Sequence, residues 1–123
     1  MSKQKTVAAP TIELVMADAA CCTPLTEATL SAEKARDLAP AFKALGDPVR
    51  LQLLSQIATA ASGEACVCDL TAGFDLTGPT ISHHLKVLRE AGLIDCERRG
   101  TWVYYWIVPD RVNALAHMLA AGR

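Results

Sequence analysis

The chain has no long apolar run, no strong charge of either sign and no leader-like start, and each absence removes a class of function. No stretch approaches the roughly 18 consecutive apolar residues that a membrane span needs. The N-terminus lacks a basic segment followed by an apolar run and a cleavage site. A cytoplasmic protein with no membrane partner is therefore expected. The formal net charge is only −1, so the whole molecule does not attract polyanions, and any nucleic-acid binding must come from a local basic face. Internal repeats and low-complexity tracts are missing. So is a Cys-x-x-Cys at a helix start within a βαβ pattern, which argues against a small thiol oxidoreductase.

What is present fits an ordinary globular chain. Its 123 residues are 51% hydrophobic and 20% charged, enough for one core, although at this size assembly can contribute to stability. The cysteines form an odd set: the adjacent pair Cys21 and Cys22, the close pair Cys66 and Cys68, and the singleton Cys96. In a reducing compartment such clusters point to metal ligands or redox thiols rather than to a disulfide framework.

Residues 1–30 carry little periodicity and include Pro10, Pro24 and the adjacent cysteines, the pattern of a mobile N-terminal arm. Residues 31–123 form the expected domain. A helix is predicted from Ser31, a good N-cap with Glu33 behind it, to Gly46, with Pro40 as a point of kinking or division. Asp47 and Pro48 open a second helix, with Leu51, Leu54 and Ile57 at helical spacing as its inward stripe. After Ser62 and Gly63 a short helix holds Cys68 and Asp69 in its first turn and ends near Gly73. Thr77 and Pro79 start the next, with Ile81, Leu85 and Leu88 on one face and Gly92 at its end. β-Branched and aromatic residues on both sides of Arg98-Arg99-Gly100 predict a hairpin. A closing helix places Val112, Leu115, Ala116 and Leu119 on one stripe.

Helices, a helix-turn-helix, a hairpin and a last helix make a mainly α winged helix-turn-helix. Such a fold lays the second helix of the motif in the major groove and touches the DNA backbone or minor groove with the hairpin. The candidate contacts are Thr77, Thr80, Ser82, His83, Lys86 and Arg89 on that helix and Arg98 and Arg99 at the wing tip, with Arg50 as a further phosphate contact. A solvated polar helix face is the plainer interpretation of any one of these; the basic-tipped hairpin directly after the motif favours DNA. Trp102, Tyr104, Tyr105 and Trp106, at strand spacing, are expected to pack rather than to stack on bases. Adjacent histidines on a helix point about 100° apart and cannot readily chelate one ion, so one of His83 and His84 faces DNA and the other supports the helix.

Over roughly residues 33–119 the sequence resembles the ArsR/SmtB family of winged-helix metalloregulatory repressors. The resemblance rests on FKALGDPVRLQLL (42–54), CVCDL (66–70), PTISHHLKVLREAGLI (79–94) and RRGTWVYY (98–105). It implies a homodimer built from the first and last helices. It also implies binding to an inverted-repeat operator in double-stranded DNA, release when a metal or metalloid binds, and no organic cofactor. An apolar stripe on the last helix, hard for a small monomer to cover, agrees with the dimer.

The resemblance also implies a sensing site at Cys66 and Cys68. The arsenic-sensing version has a third cysteine three residues further on, where this chain has Thr71, so the pair is one ligand short of the three thiolates that arsenite or antimonite takes. Relatives that sense cadmium or lead complete their site with arm cysteines, and Cys21 and Cys22 are the candidates here. Metal ligands are therefore expected at Cys21, Cys22, Cys66 and Cys68, with arsenite or antimonite as inducer and cadmium or lead as the alternative. Three other interpretations stay open: buried structural cysteines at 66 and 68, incidental or redox-active cysteines at 21 and 22, and a thiol-redox repressor of the same fold. Cys96 is expected to pack. The family's zinc pattern on the last helix is broken, because Asp110 is followed two residues later by Val112 rather than by histidine, and His117 alone does not restore it.

Overall fold

Capping side chains set where the helices begin. In a computed structural model of the chain, which describes residues 24–120, Ser31 Oγ accepts the Lys34 N–H at 3.1 Å and opens α1 (Ala32–Leu45), with Glu33 at its positive end and Lys43 at its negative end. Pro40 lies inside α1 without dividing it. Asp47 Oδ2 accepts the N–H groups of Val49 and Arg50 at 2.9 and 3.2 Å and starts α2 (Pro48–Ala58). Cys66 and Thr77 begin α3 (Val67–Ala72) and α4 (Gly78–Glu90). The chain then runs through β2 (Ile94–Arg99), β3 (Trp102–Ile107) and α5 (Pro109–Met118).

The described residues fall into two units, one of the residues up to Pro40 with those from Pro109 onward, the other Ala41–Val108. In the first, Arg111 Nη2 donates to the Asp37 carbonyl at 2.9 Å, and the Leu25 N–H donates to the Met118 carbonyl at 3.1 Å. Helix α5 buries Ala114, Leu115 and Met118, which corrects the expected stripe. At about 100° per residue these three lie within one narrow arc, whereas Val112, Ala116 and Leu119 lie on a separate one. Ala116 and Leu119 are exposed.

The second unit is the winged helix-turn-helix. Leu53, Ile57, Leu70, Ile81, Leu85, Leu88, Leu93 and Ile94 are its largest fully buried side chains. Each contributes roughly 1.5–3 kcal/mol through apolar burial. Helix α4 follows the sequence closely, with Ile81, Leu85 and Leu88 inward. Its end is set by Gly92 at φ 82°, a left-handed residue whose N–H reaches the Arg89 carbonyl at 2.9 Å while the Leu93 N–H reaches that of Leu88 at 3.1 Å. Helix α2 departs from expectation, since Leu53 and Ile57 are buried while Leu51 is 53% exposed. A 51–54–57 series drifts by about 60° at each step, so it cannot all face inward, whereas residues four apart differ by only about 40°.

The hairpin closes on Gly100 and Thr101 between the paired residues Arg99 and Trp102, with Gly100 at φ 66°. A third strand, absent from the sequence reading, joins it. β1 (Ala65–Cys66) pairs antiparallel with β3, Ala65 opposite Tyr105 and Cys66 opposite Tyr104, giving the order β1-β3-β2. Trp106 is buried as expected. Trp102 instead stands half exposed beside the wing turn, where the hairpin has run beyond the core. Among the described residues no helix is long and apolar enough to cross a membrane.

The helical phase of α2 gives a direct test by urea unfolding. Leu53→Ala is expected to lower the unfolding free energy by about 2–5 kcal/mol through transfer and cavity costs, and Leu51→Ala by less than about 0.5 kcal/mol. The opposite order would restore the 51–54–57 stripe.

Candidate nucleic-acid interface and thiol pair

Helix α4 presents Thr80, Ser82, His83, Lys86 and Arg89 to solvent opposite its buried stripe. The Thr77 hydroxyl caps the helix, accepting the Thr80 N–H at 3.3 Å and meeting the Thr80 hydroxyl at 2.9 Å. Its first task is thus to set the start of the helix. Of the neighbouring histidines, His83 is exposed and His84 is half-buried. His84 Nδ1 lies 3.3 Å from Arg50 Nη1 and 4.0 Å from Asp47 Oδ2. Arg50 Nε also donates to the Ala44 carbonyl at 2.6 Å. Arg50, offered by the sequence as a phosphate contact, is therefore an internal tie between the start of α2 and the side of α4.

The other arginines differ in the same way. Arg89 Nε donates to Asp95 Oδ1 at 3.2 Å on the surface, a pair worth little in stability. Arg99 is held by Glu64 and Glu97. Arg98, one residue earlier, is exposed. Alternation along a strand explains the contrast, because adjacent side chains take opposite faces and only that of Arg99 carries the carboxylates.

Cys66 and Cys68 are brought together. Their sulfurs lie 2.6 Å apart, and Cys66 Sγ accepts the Cys68 N–H at 3.4 Å as the cap of α3. Cys66 is buried and Cys68 exposed, so the pair opens to solvent on one side. The Cys68 thiol is pushed up from its ordinary range, first by its hydrogen bond with Cys66, then by desolvation and by the charges of Cys66 and Asp69. Both the softness of the donors and their contact suit a thiophilic ion. Thr71, in the place of a third cysteine, donates its hydroxyl to the Val67 carbonyl at 2.8 Å. Among the described residues no three His, Cys, Asp or Glu side chains are grouped to hold a metal ion. Cys21 and Cys22 lie outside the described residues. Cys96 sits on β2 opposite Tyr105, and register places it on the sheet face away from Cys66.

The Asp47 carboxyl is held below the usual carboxylate range, chiefly by the Arg50 backbone N–H, with further help from Val49 and the Arg50 and His84 charges against desolvation. A depressed folded value adds stability that is complete above the ordinary aspartate value of about 3.9 and is lost as pH falls through the folded one. Asp47→Asn is expected to flatten that acid limb, checked by thermal unfolding as a function of pH. An unchanged limb would contradict the assignment.

Residues 47–95 match the family described as bacterial regulatory protein, arsR family. An uncharacterized HTH-type transcriptional regulator of Methanocaldococcus jannaschii is 41% identical over 87 residues, 71% of this chain and 96% of the relative. The arsenical resistance operon repressor of Bacillus subtilis is 45% identical over 74 residues, 60% of this chain and 69% of the relative. Among solved structures, a homodimeric winged helix-turn-helix DNA-binding domain from Mycobacterium bovis, a possible ArsR-family regulator, aligns with a TM-score of 0.56. The identity there is 33%, over 72% of this chain and 85% of that one.

Proposed function

The chain belongs to the arsR family of bacterial regulatory proteins, DNA-binding transcriptional regulators rather than enzymes, and from that premise we propose that it is a repressor released from its operator by arsenite or antimonite. The observation that carries this reading is the contact between Cys66 and Cys68 at the start of α3, in the unit that holds the DNA-facing helix. The name of the Bacillus subtilis relative supports arsenic as the signal. Such a protein acts where the DNA is, in the cytoplasm.

On DNA, α4 enters the major groove with Thr80, Ser82, His83 and Lys86 toward base edges and phosphates, Thr77 and Arg89 flank them, and Arg98 reaches the backbone from the wing. A homodimer bound to an inverted repeat suits the exposed Ala116 of α5, the exposed Leu119 just beyond its end and the half-exposed Leu25. Leu25 is tied to the end of that helix by its own N–H. The Mycobacterium bovis domain gives the precedent for two copies. Lys86→Ala is expected to weaken binding across sequences and to reduce the slope of log affinity against log salt by about one. Fluorescence anisotropy over a salt series measures it, and an unchanged slope would remove Lys86 from the phosphate contacts.

For sensing, the thiols of Cys66 and Cys68 and one from Cys21 or Cys22 exchange with the three hydroxyls of arsenous acid. Three S–As bonds form, three As–O bonds break, and each thiol proton leaves in water. Near neutral pH that exchange is close to pH-independent. Cadmium or lead would instead displace protons into solution, with affinity changing about tenfold per pH unit for each proton released. The pH dependence of inducer binding therefore separates the two ion classes.

Cys66→Ser with Cys68→Ser is expected to leave operator binding in place and to abolish release by arsenite. Cys21→Ser with Cys22→Ser is expected to raise the arsenite concentration for release at least about tenfold, and adding Thr71→Cys to that variant to lower it again by supplying a thiol one turn from Cys68. An arsenite response that survives loss of Cys21 and Cys22 unchanged would contradict the shared site.

A further inference from the structure

Arg99 occupies the wing tip, where a DNA-binding hairpin would present a cation to phosphate, yet its guanidinium is turned along the sheet. Nη1 and Nη2 donate to the two oxygens of Glu64 at 2.6 and 2.9 Å. Nε and Nη2 also reach Glu97 Oε1 at 3.2 and 3.0 Å, and the guanidinium carbon lies 4.8 Å from the centre of the Tyr104 ring. Only 12% of the Glu64 side chain is exposed, against 36% for Arg99. A two-pronged guanidinium–carboxylate contact, sheltered on one side and stacked on an aromatic ring, is far more directional than a surface ion pair.

The position of this contact gives it a consequence. Glu64 is two residues before Cys66, and between them the chain enters β1, whose whole attachment to the sheet is Ala65 opposite Tyr105 and Cys66 opposite Tyr104. So short a strand is marginal by itself. Register sets Cys66, Tyr104 and Glu97 in one row across the three strands, and alternation puts Glu64 and Arg99 on the same face. The thiol pair, the capped start of α3 and the wing turn are thereby connected through one face of one sheet.

We propose that the Glu64–Arg99 ion pair transmits occupation of the Cys66–Cys68 site to the wing, which makes Arg99 a positioning residue for DNA binding rather than a phosphate contact. The inference rests on the proposed function, since it concerns how that same site communicates. Drawing the two thiols toward a ligand from outside α3 displaces the Cys66 backbone and with it Glu64. The wing then either follows through Arg99 or loses the contact that holds it. An inducer shifts a conformational equilibrium only by its different affinity for the two states, and a contact made in one of them is where that difference is carried.

The test uses the full chain, a duplex selected from a random pool by the parent protein, and sodium arsenite. Operator affinity is measured by anisotropy with and without saturating arsenite, and arsenite affinity is measured without DNA by tryptophan fluorescence. For Arg99→Lys and Glu64→Gln, the expected result is an arsenite affinity within about twofold of the parent but a ratio of the two operator affinities reduced about tenfold or more. The salt slope should be unchanged in Arg99→Lys and in Arg99→Gln, whereas Arg98→Ala should lose about one unit. Exchanging the charges, Glu64→Arg with Arg99→Glu, should recover part of the ratio. Arg99→Gln lowering the salt slope by about one while leaving the ratio intact would overturn the proposal. If arsenite releases the parent, the functional reading stands whatever the variants do. A parent that arsenite does not release would remove both.

Discussion

The backbone of Cys66 is the constraint on which the rest of the unit depends. One residue ends β1 opposite Tyr104, caps α3 through its sulfur and brings its thiol against that of Cys68. Because strand end and helix start are the same residue, a ligand at this thiol, as proposed, would act on the wing sheet and on the helix that precedes α4.

Charge is distributed sparingly for a DNA-binding unit. Arg50, Arg89 and Arg99 are engaged with a carbonyl and His84, with Asp95, and with Glu64 and Glu97 respectively. The outward surface of α4 and the wing relies on Lys86 and Arg98 together with hydroxyl and imidazole donors. That agrees with a chain of formal net charge −1. Long-range attraction is then weak, and affinity for DNA has to come from fitted local contacts.

Much of this was legible in the sequence, for reasons that can be named. Ser31, Asp47 and Thr77 cap the helices they announce, and Ile81, Leu85 and Leu88 line α4 as their spacing required. Those signals are local: a capping oxygen, a helical repeat, a glycine with positive φ. β1 escaped because two residues carry no periodicity. Glu64 as the partner of Arg99 escaped because the two are far apart in sequence and a charge pattern does not say which carboxylate a guanidinium will meet. The stripes of α2 and α5 were misplaced because several apolar residues offered more than one helical phase, and packing chose among them. The cysteine pair was visible as a motif; that its first member also joins the wing sheet was not.

The central claim is that Cys66 and Cys68 supply two sulfur ligands and that the third comes from Cys21 or Cys22. Arsenic K-edge X-ray absorption on the arsenite-loaded full chain counts those sulfurs directly. The account predicts three sulfur neighbours in the parent, and two with one oxygen once Cys21 and Cys22 are both replaced by serine. Three sulfur neighbours in that variant would contradict it.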